Sequence, residues 1–397
     1  MSGDRFGDGA ASAVTTAERR LAPETLAARG MPTPDPETGA VVPPIHLAST
    51  FARDADYELR QPFSYARDGG PTSRTAEWLI RDLERAERTL LFSSGLSAMA
   101  AVLEALPMGA RIAIPDRMYH GGRSWARRLE AIGRIRIDVY RSGDAESLDS
   151  AVHPGQTSLV WIETPSNPEC RITDIRCGAK AAKAADTLLL VDSTAAPPPT
   201  TTALDLGANI AFHSGTKYLN GHSDVTAGVL SFRNARGFDD EVAGIRTHQG
   251  TVLPGFESWL LLRGLRTLFV RFGKMSASAQ AIGEALSDHP RVEVVHYPGL
   301  PGHPGHTIAA GQMTGGFGGM LSFQVRGGAR MARAVALGCR LFVPATSLGG
   351  TESLIEHRKS IEGADSPVPD TLLRLSVGLE DARDLIADID QALAKAI

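Results

Sequence analysis

The sequence predicts an α/β protein with a mainly parallel, seven-stranded sheet domain and a smaller C-terminal α/β domain. Between about residues 75 and 235, short strand-like runs alternate with segments whose apolar residues recur at helical spacing. Several of these runs, such as residues 157–162 and 188–191, are largely apolar, as is typical of parallel strands buried on both faces. After Pro254 the alternation changes, so we expect a second domain to begin there.

The apolar runs give the elements of the large domain in order. The expected strands are residues 89–92, 111–115, 135–140, 157–162, 188–191, 209–212 and 227–232. The expected helices are residues 75–87, a segment that begins at Leu96, 123–132 and 175–184. Strands and helices in this order favour a sheet covered by helices on both faces.

The C-terminal part shows fewer but longer patterns. Residues 256–286 predict one long or broken helix, 292–296 and 320–325 predict strands, and 382–396 predict a closing helix. We therefore expect an N-terminal arm at 1–60 with its first ~20 residues disordered, a large domain at 61–254 and a C-terminal domain at 255–397.

Composition excludes several classes of protein. A formal net charge of −4 gives no basic surface for nucleic acid. Cys170, Cys177 and Cys339 are odd in number and lack metal-ligand spacing, which argues against a disulfide framework and a metal site. No apolar run approaches the roughly 18–20 residues of a membrane span, and the N-terminus lacks the apolar core of a signal peptide. We expect a cytoplasmic protein.

Ser214, Thr216 and Lys217 form a Ser-Gly-Thr-Lys motif that follows the strand ended by Asp192. The two hydroxyls can donate to a phosphate, and the amine can form an imine with an aldehyde. A carboxylate at the carboxyl end of a buried strand can keep a pyridinium nitrogen protonated. Taken singly, Lys217 can equally be a solvated loop lysine and Asp192 a helix cap. Together they predict binding of pyridoxal 5′-phosphate (PLP).

Polar and aromatic side chains at other strand ends fit the same cofactor. The small residues around Ser94 lie where an expected strand ends and an expected helix begins. They form either a phosphate site or an ordinary N-cap. The ring of Tyr119 can stack on a pyridine ring or simply pack. Asn167 can bond to the phenolate oxygen of the cofactor or belong to an Asn-Pro turn.

Two arginines lie outside these strand ends. Arg67 shares a glycine-rich loop with Tyr65, and its guanidinium is well matched to phosphate. Arg374 is flanked by apolar residues on an expected strand, where a cation needs a partner. That partner is either a substrate carboxylate or an internal carboxylate.

The order of these segments resembles the Cys/Met-metabolism (trans-sulfuration) family of fold-type I PLP enzymes. The similarity extends from about residue 38 to the C-terminus. It is carried by four motifs: Glu-Thr-Pro-Ser-Asn-Pro at 163–168, His-Ser-Gly-Thr-Lys-Tyr-Leu-Asn-Gly-His-Ser-Asp at 213–224, Leu-Arg-Gly-Leu-Arg-Thr-Leu at 262–268 and Leu-Ser-Val-Gly-Leu-Glu-Asp at 375–381.

The resemblance implies a role for each candidate residue. Lys217 is expected to be the Schiff-base lysine and proton shuttle, Asp192 to pair with the pyridinium, Tyr119 to stack on the ring and Asn167 to face the phenolate oxygen. The residues expected to hold the phosphate are Ser94, Gly95, Leu96, Ser214 and Thr216.

The resemblance also implies an assembly and a substrate site. Tyr65 and Arg67 are expected to reach the phosphate of the neighbouring subunit, so the active unit is a homodimer and the usual assembly a homotetramer. Arg374, with Ser347, Asn167 and Thr346 nearby, is expected to bind a small amino-acid substrate by its α-carboxylate.

The sequence departs from the family pattern in several places. Gly70 and Ser193 each stand where asparagine is common. Thr346 stands where cystathionine-forming and γ-cleaving members often carry a glutamate for the distal amine of the substrate, and Gly121 stands where methionine γ-lyases carry cysteine. Residues 357–367 are shorter than usual and lack the common Met-Thr-His. These departures concern substrate choice more than cofactor binding.

The expected chemistry is γ-replacement or γ-elimination on a homoserine- or homocysteine-derived amino acid. Three alternatives stay open at this point. One is β-elimination from cystathionine or cysteine. Another is a specialised reaction that forms a C–C or C–N bond through a vinylglycine-type intermediate, and the last is a catalytically idle binding protein.

Overall fold

The computed structural model describes residues 21–30, 33–363 and 366–396. The disorder expected for the first ~20 residues falls outside the described residues. The helix of the arm is α1 (Pro23–Arg29). Most other described residues ahead of residue 70 are irregular and solvent-exposed.

The large domain is organised around a seven-stranded sheet. Its strands are β1 (Arg88–Phe92), β2 (Ala110–Pro115), β3 (Ile135–Tyr140), β4 (Thr157–Glu163), β5 (Leu188–Asp192), β6 (Ile210–Ser214) and β7 (Gly228–Phe232). Their order is β1-β7-β6-β5-β4-β2-β3, and only β7 runs antiparallel to its neighbours. The predicted α/β fold with a mainly parallel sheet is confirmed.

Helices cover both faces of this sheet because alternate strand residues point to opposite sides. The helices of this part are α2 (Pro71–Glu84), α3 (Gly95–Ala105), α4 (His120–Ala131), α5 (Ala145–Ala151), α6 (Ile175–Ala184) and α7 (Phe238–Gln249). Phe92, Trp161 and Phe212 belong to the core under α3, α4 and α7. Leu91 packs towards α2, and Val191 packs towards α5 and α6.

The C-terminal part has its own five-stranded sheet. Its helices are α8 (Gly255–Leu265), α9 (Leu268–Ser287), α10 (His306–Gln312), α11 (Gly328–Gly338), α12 (Arg358–Glu362) and α13 (Ala382–Lys395). Its strands are β8 (Val292–His296), β9 (Met320–Val325), β10 (Val343–Pro344), β11 (Leu354–His357) and β12 (Leu372–Ser376). They lie in the order β10-β11-β12-β9-β8. The register of β11 and β12 places Glu356 directly opposite Arg374.

The region predicted as one long or broken helix is broken. Helix α8 ends at Leu265, and α9 starts again at Leu268. Between them the Thr267 hydroxyl donates to the carbonyl of Gly264 over 3.1 Å and accepts from Arg271 Nε over 3.0 Å. Such side-chain bonds compete with the helical backbone pattern. Within the described part of the chain, no helix is both long and apolar enough to cross a membrane.

Candidate active site

Lys217 lies just beyond the carboxyl end of β6, where it faces the loop that precedes β11. Its Nζ donates to Ser347 Oγ over 2.8 Å. Ser347 has a φ of 113°, a left-handed value that is costly for a residue with a Cβ. Burial and the nearby Arg374 guanidinium lower the pKa of Lys217 to about 8. A substantial share of this amine is therefore neutral near pH 8 and able to accept a proton.

Asp192 and Glu163 end neighbouring parallel strands and lie side by side in the register of the sheet. Both are almost fully buried. Burial raises the pKa of Asp192 to about 6, although the N–H of Thr194 donates to its Oδ1 over 2.9 Å. Burial and the charge of Asp192 raise the pKa of Glu163 well above its usual value. Neither carboxylate has a salt bridge to another described side chain, so their negative charge lacks a directly bonded cation.

Glu163 holds two of the predicted site residues together through their backbones. Its Oε2 accepts from the N–H of Tyr119 over 2.6 Å, and its Oε1 accepts from the N–H of Asn167 over 2.8 Å. The sequence analysis gave Glu163 no role. The available signal was its place as the first polar residue after the apolar run at 157–162, the same signal that singled out Asp192.

Tyr119 caps the start of α4, and its ring lies over Gly121. A Cβ added at Gly121 would come within 2.7 Å of the ring carbon Cε1 of Tyr119. A cysteine at this position would therefore displace the ring, whereas glycine permits its present position. The Tyr119 side chain is partly exposed, which leaves it accessible to a ring-shaped ligand.

The start of α3 lies against Ser214, as a shared phosphate site requires. Ser94 caps the helix by accepting the N–H of Ser97 over 3.1 Å, while the first-turn N–H groups of Gly95 and Leu96 have no acceptor inside the helix. A Cβ at Gly95 would lie 3.2 Å from Ser214 Oγ, so the glycine allows this close approach.

Thr216 holds the turn between β6 and Lys217 against the start of β7. Its Oγ1 accepts from the N–H of Ala227 over 2.9 Å and donates to the carbonyl of Ala227 over 3.3 Å. In the structure, therefore, the Thr216 hydroxyl bonds the backbone beside the Ser214 turn.

Arg374 joins the two sheets at this site. Its Nη1 donates to Asn167 Oδ1 over 3.1 Å, and its Nη2 donates to the carbonyl of Ser347 over 2.7 Å. The same Nη2 lies 2.6 Å from Glu356 Oε2, so the internal salt bridge considered from the sequence is present. Its Nε is buried without a hydrogen-bond partner among the described residues. Burial, only partly opposed by Glu356, lowers the pKa of Arg374 to about 10.

The Thr346 hydroxyl contacts the same carboxylate. Its Oγ1 donates to Glu356 Oε1 over 2.7 Å. Sequence reasoning also missed Glu356, because nothing in the local sequence around it indicates its partner on β12.

Tyr65 and Arg67 are not part of this cluster. The Arg67 guanidinium lies 4.9 Å from the centroid of the Tyr65 ring on the exposed loop before α2. No hydrogen bond among the described residues connects either side chain to Lys217 or Asp192. The folded chain thus brings most of the predicted residues together but leaves these two apart.

The donor set fits PLP. Asp192 is a buried carboxylate without a cationic partner in the described chain, which matches a pyridinium nitrogen. Lys217 supplies an amine of lowered pKa, and the start of α3 beside Ser214 supplies donors for a phosphate. Tyr119 lies at the exit of β2 on the same edge of the sheet.

The fold and these residues define a PLP-dependent enzyme of fold type I. The model of the family described as "Cys/Met metabolism PLP-dependent enzyme" matches residues 24–394, and the chain belongs to that family. This confirms the resemblance drawn from the sequence motifs.

Curated relatives and solved structures agree with this assignment. The chain is 42% identical over 377 residues to cystathionine γ-synthase of Mycobacterium tuberculosis, covering 94% of this chain and 96% of that one. It is 40% identical over 372 residues to cystathionine γ-lyase of Dictyostelium discoideum, covering 91% and 95%. A crystal structure of cystathionine γ-synthase from Xanthomonas oryzae pv. oryzae in complex with cystathionine superposes with a TM-score of 0.91 at 38% identity, covering 95% and 99%.

Proposed function

We propose that this protein binds PLP through Lys217 and catalyses γ-replacement or γ-elimination on a homoserine- or homocysteine-derived amino acid. The observation that carries the proposal is the 2.8 Å hydrogen bond from Lys217 Nζ to Ser347 Oγ. It joins a buried amine of lowered pKa, just beyond β6 of the large sheet, to the loop before β11 of the small sheet, close to Arg374. Relatives with this family's fold are named cystathionine γ-synthase and γ-lyase, which supports γ-chemistry.

Each residue has a defined task in this reaction. PLP, when bound, supplies an aldehyde that joins amino groups and a ring that takes up electron density from Cα of the substrate. Asp192 supplies a counter-charge for the ring nitrogen, and Tyr119 covers one face of the ring. Asn167 fixes the orientation of Arg374 and would face the ring oxygen of the bound cofactor. The donors at Ser94–Leu96 and Ser214, beside the turn held by Thr216, hold the phosphate.

Lys217 moves the protons. Its amine removes the proton from Cα and, for a leaving group on Cγ, a second proton from Cβ. Ser347 keeps Nζ at this position through the observed hydrogen bond. Arg374 binds the α-carboxylate, for which its buried and unpartnered Nε is available.

The geometry around Thr346 favours an O-acyl homoserine over cystathionine as the substrate. The Thr346 hydroxyl is bonded to Glu356, and Glu356 lies between two guanidinium groups. Neither residue therefore offers a free carboxylate to a distal ammonium group. We infer that γ-replacement on an ester is the main reaction, with γ-elimination as a side reaction.

We also propose that the active unit is a homodimer and that two dimers form a tetramer in the cytoplasm. Tyr65 and Arg67 lie on an exposed loop away from Lys217, as is expected if they complete a neighbouring site. Leu47 and Tyr57 of the arm are each 78% exposed, which supports their burial against another subunit. The domain limits are proposed at residues 60 and 254. Light scattering after gel filtration tests the assembly, and a monomer would contradict it.

Mass spectrometry of the products tests the proposed reaction. PLP-loaded enzyme is incubated with O-acetyl-L-homoserine or L-cystathionine, each with and without a thiol. A new thioether from the ester, or 2-oxobutyrate from either substrate, is expected. Pyruvate from cystathionine would instead identify β-elimination. No product from either, with the cofactor's visible absorption intact, would contradict both reactions and indicate another substrate.

A further inference from the structure

Four buried side chains of alternating charge extend from Arg374 into the segment where this chain departs from its family pattern. They are Arg374, Glu356, Arg358 and Glu362 in spatial order. Each of the first three is at most 4% exposed. Arg358 and Glu362 are the first and last residues of α12, inside the shortened segment 357–367. The chain of charges therefore connects that segment directly to the expected carboxylate site.

The geometry makes Glu356 a shared partner of two cations. Its Oε2 lies 2.6 Å from Nη2 of Arg374 and accepts from Nη1 of Arg358 over 2.8 Å. Burial alone would raise the pKa of Glu356, but Arg374 and Arg358 outweigh burial and lower it. Glu356 is consequently charged, and its charge is divided between the two guanidinium groups.

Arg358 itself is committed to protein partners. Besides Glu356 it bonds Glu362 Oε1 through Nε over 3.1 Å and through Nη2, and Glu362 Oε2 in turn accepts from the Ser366 hydroxyl over 2.6 Å. Among the described residues, the hydrogen bonds of Arg358 go to Glu356 and Glu362. Its bonded connection to Arg374 therefore runs through Glu356.

We propose that Arg358 is a positioning residue for substrate recognition: it holds Glu356 and keeps that carboxylate from neutralising Arg374. Without Arg358, the whole charge of Glu356 falls on Arg374 and competes with the α-carboxylate of an incoming amino acid. With Arg358, Arg374 keeps positive charge for the substrate. This inference rests on the proposed function, because it takes Arg374 as the α-carboxylate ligand.

Two small ligands isolate the step in question. L-Alanine and ethylamine differ by the α-carboxylate, and neither has a γ-leaving group. Their dissociation constants are measured from the change in the visible absorption of PLP-loaded enzyme. For Arg358→Met we expect the L-alanine constant to rise about tenfold to a hundredfold, the range for losing one charged contact. The ethylamine constant should stay within about threefold, a shift below 1 kcal/mol on the same scale.

Steady-state kinetics and three further variants complete the test. Arg358→Met should raise KM for O-acetyl-L-homoserine by a similar factor and change kcat little. Arg358→Lys should recover part of the loss. Arg236→Met, at an exposed arginine, is the matched control. If Arg358 acts through Glu356, its replacement should have little further effect in a Glu356→Gln background.

The outcomes separate the two proposals. A wild type without γ-products, or one that binds L-alanine no better than ethylamine, contradicts the proposed function. A wild type that is active and discriminates the two ligands, with an Arg358→Met variant that discriminates equally well, contradicts the role of Arg358. If Arg358→Met and Arg358→Lys weakened the binding of both ligands equally, the role of Arg358 would be purely structural. That outcome would also contradict its proposed role in substrate recognition.

Discussion

The two halves of the site bury carboxylates to a similar degree, yet the pKa values of these carboxylates shift in opposite directions. At the edge of the large sheet, burial raises the pKa of Asp192 to about 6 and raises that of Glu163 as well. On the small sheet, Arg374 and Arg358 overcome burial and lower the pKa of Glu356. The difference lies in the partners, because Asp192 and Glu163 form no salt bridge with a described side chain, whereas Glu356 forms two.

This contrast separates what each half contributes. The large-sheet half holds two buried carboxylates without a salt bridge to a described side chain. A bound cationic ring would stabilise their negative charge, which fits a cofactor. The small-sheet half pairs its charges internally, and because Glu356 is shared between two guanidinium groups, Arg374 keeps positive charge for the proposed substrate carboxylate. Lys217 lies where the two halves meet, through its bond to Ser347.

Replacing Lys217 tests the junction and should give the largest effect. In Lys217→Ala, turnover of O-acetyl-L-homoserine should fall by about 10³-fold or more, because the proton-transferring amine is lost. The cofactor's visible absorption should also change, since its covalent attachment is removed. The exposed Lys180→Ala should match the wild type in both assays. A variant that retained a tenth of the activity would refute the role of Lys217.

Removing Glu356 tests whether the charges of the small-sheet half are paired internally. Glu356→Gln leaves two buried guanidinium groups without their shared carboxylate, so the free energy of unfolding should fall by about 3–5 kcal/mol. Urea unfolding followed by circular dichroism measures this, with the exposed Glu37→Gln as the control. Because the pKa of Glu356 is lowered in the fold, its stabilisation is present above its unfolded pKa and is lost as the pH falls. An unchanged urea midpoint would show that the pairing adds nothing.

The contribution of Asp192 to stability should give the smallest effect. Its pH dependence has the opposite sign to that of Glu356. Because its pKa is raised to about 6, the folded state prefers the protonated form, and stability is lost as the pH rises from about 4 through 6. Cofactor-free Asp192→Asn should therefore be about 2 kcal/mol more stable than wild type at pH 7 and gain little at pH 4. Loading with PLP should reverse the order at pH 7. Equal stabilities in both forms at both pH values would contradict the cation-deficient strand edge.

The sequence predicted the large sheet well because most of its strands are buried on both faces and largely apolar. Residues 135–140 and 175–184 were placed correctly to the residue as β3 and α6. The sequence predicted less of the C-terminal part, where helix α11 and strands β10 and β11 were not anticipated. These elements are short or depend on packing, so their patterns are weak.

The sequence by itself determined the fold class, the order of the strands along the chain and the residues at their carboxyl ends, Asp192 and Lys217 among them. Periodicity and the placement of polar residues after apolar runs are local properties, which is why they can be read along the chain. The tertiary structure alone decided the partners. Glu356 faces Arg374 because of strand register, and Glu163 bridges Tyr119 and Asn167 because two strand ends meet. Charge balance depends on such distant contacts, so the opposite electrostatics of the two halves emerge only in the folded chain.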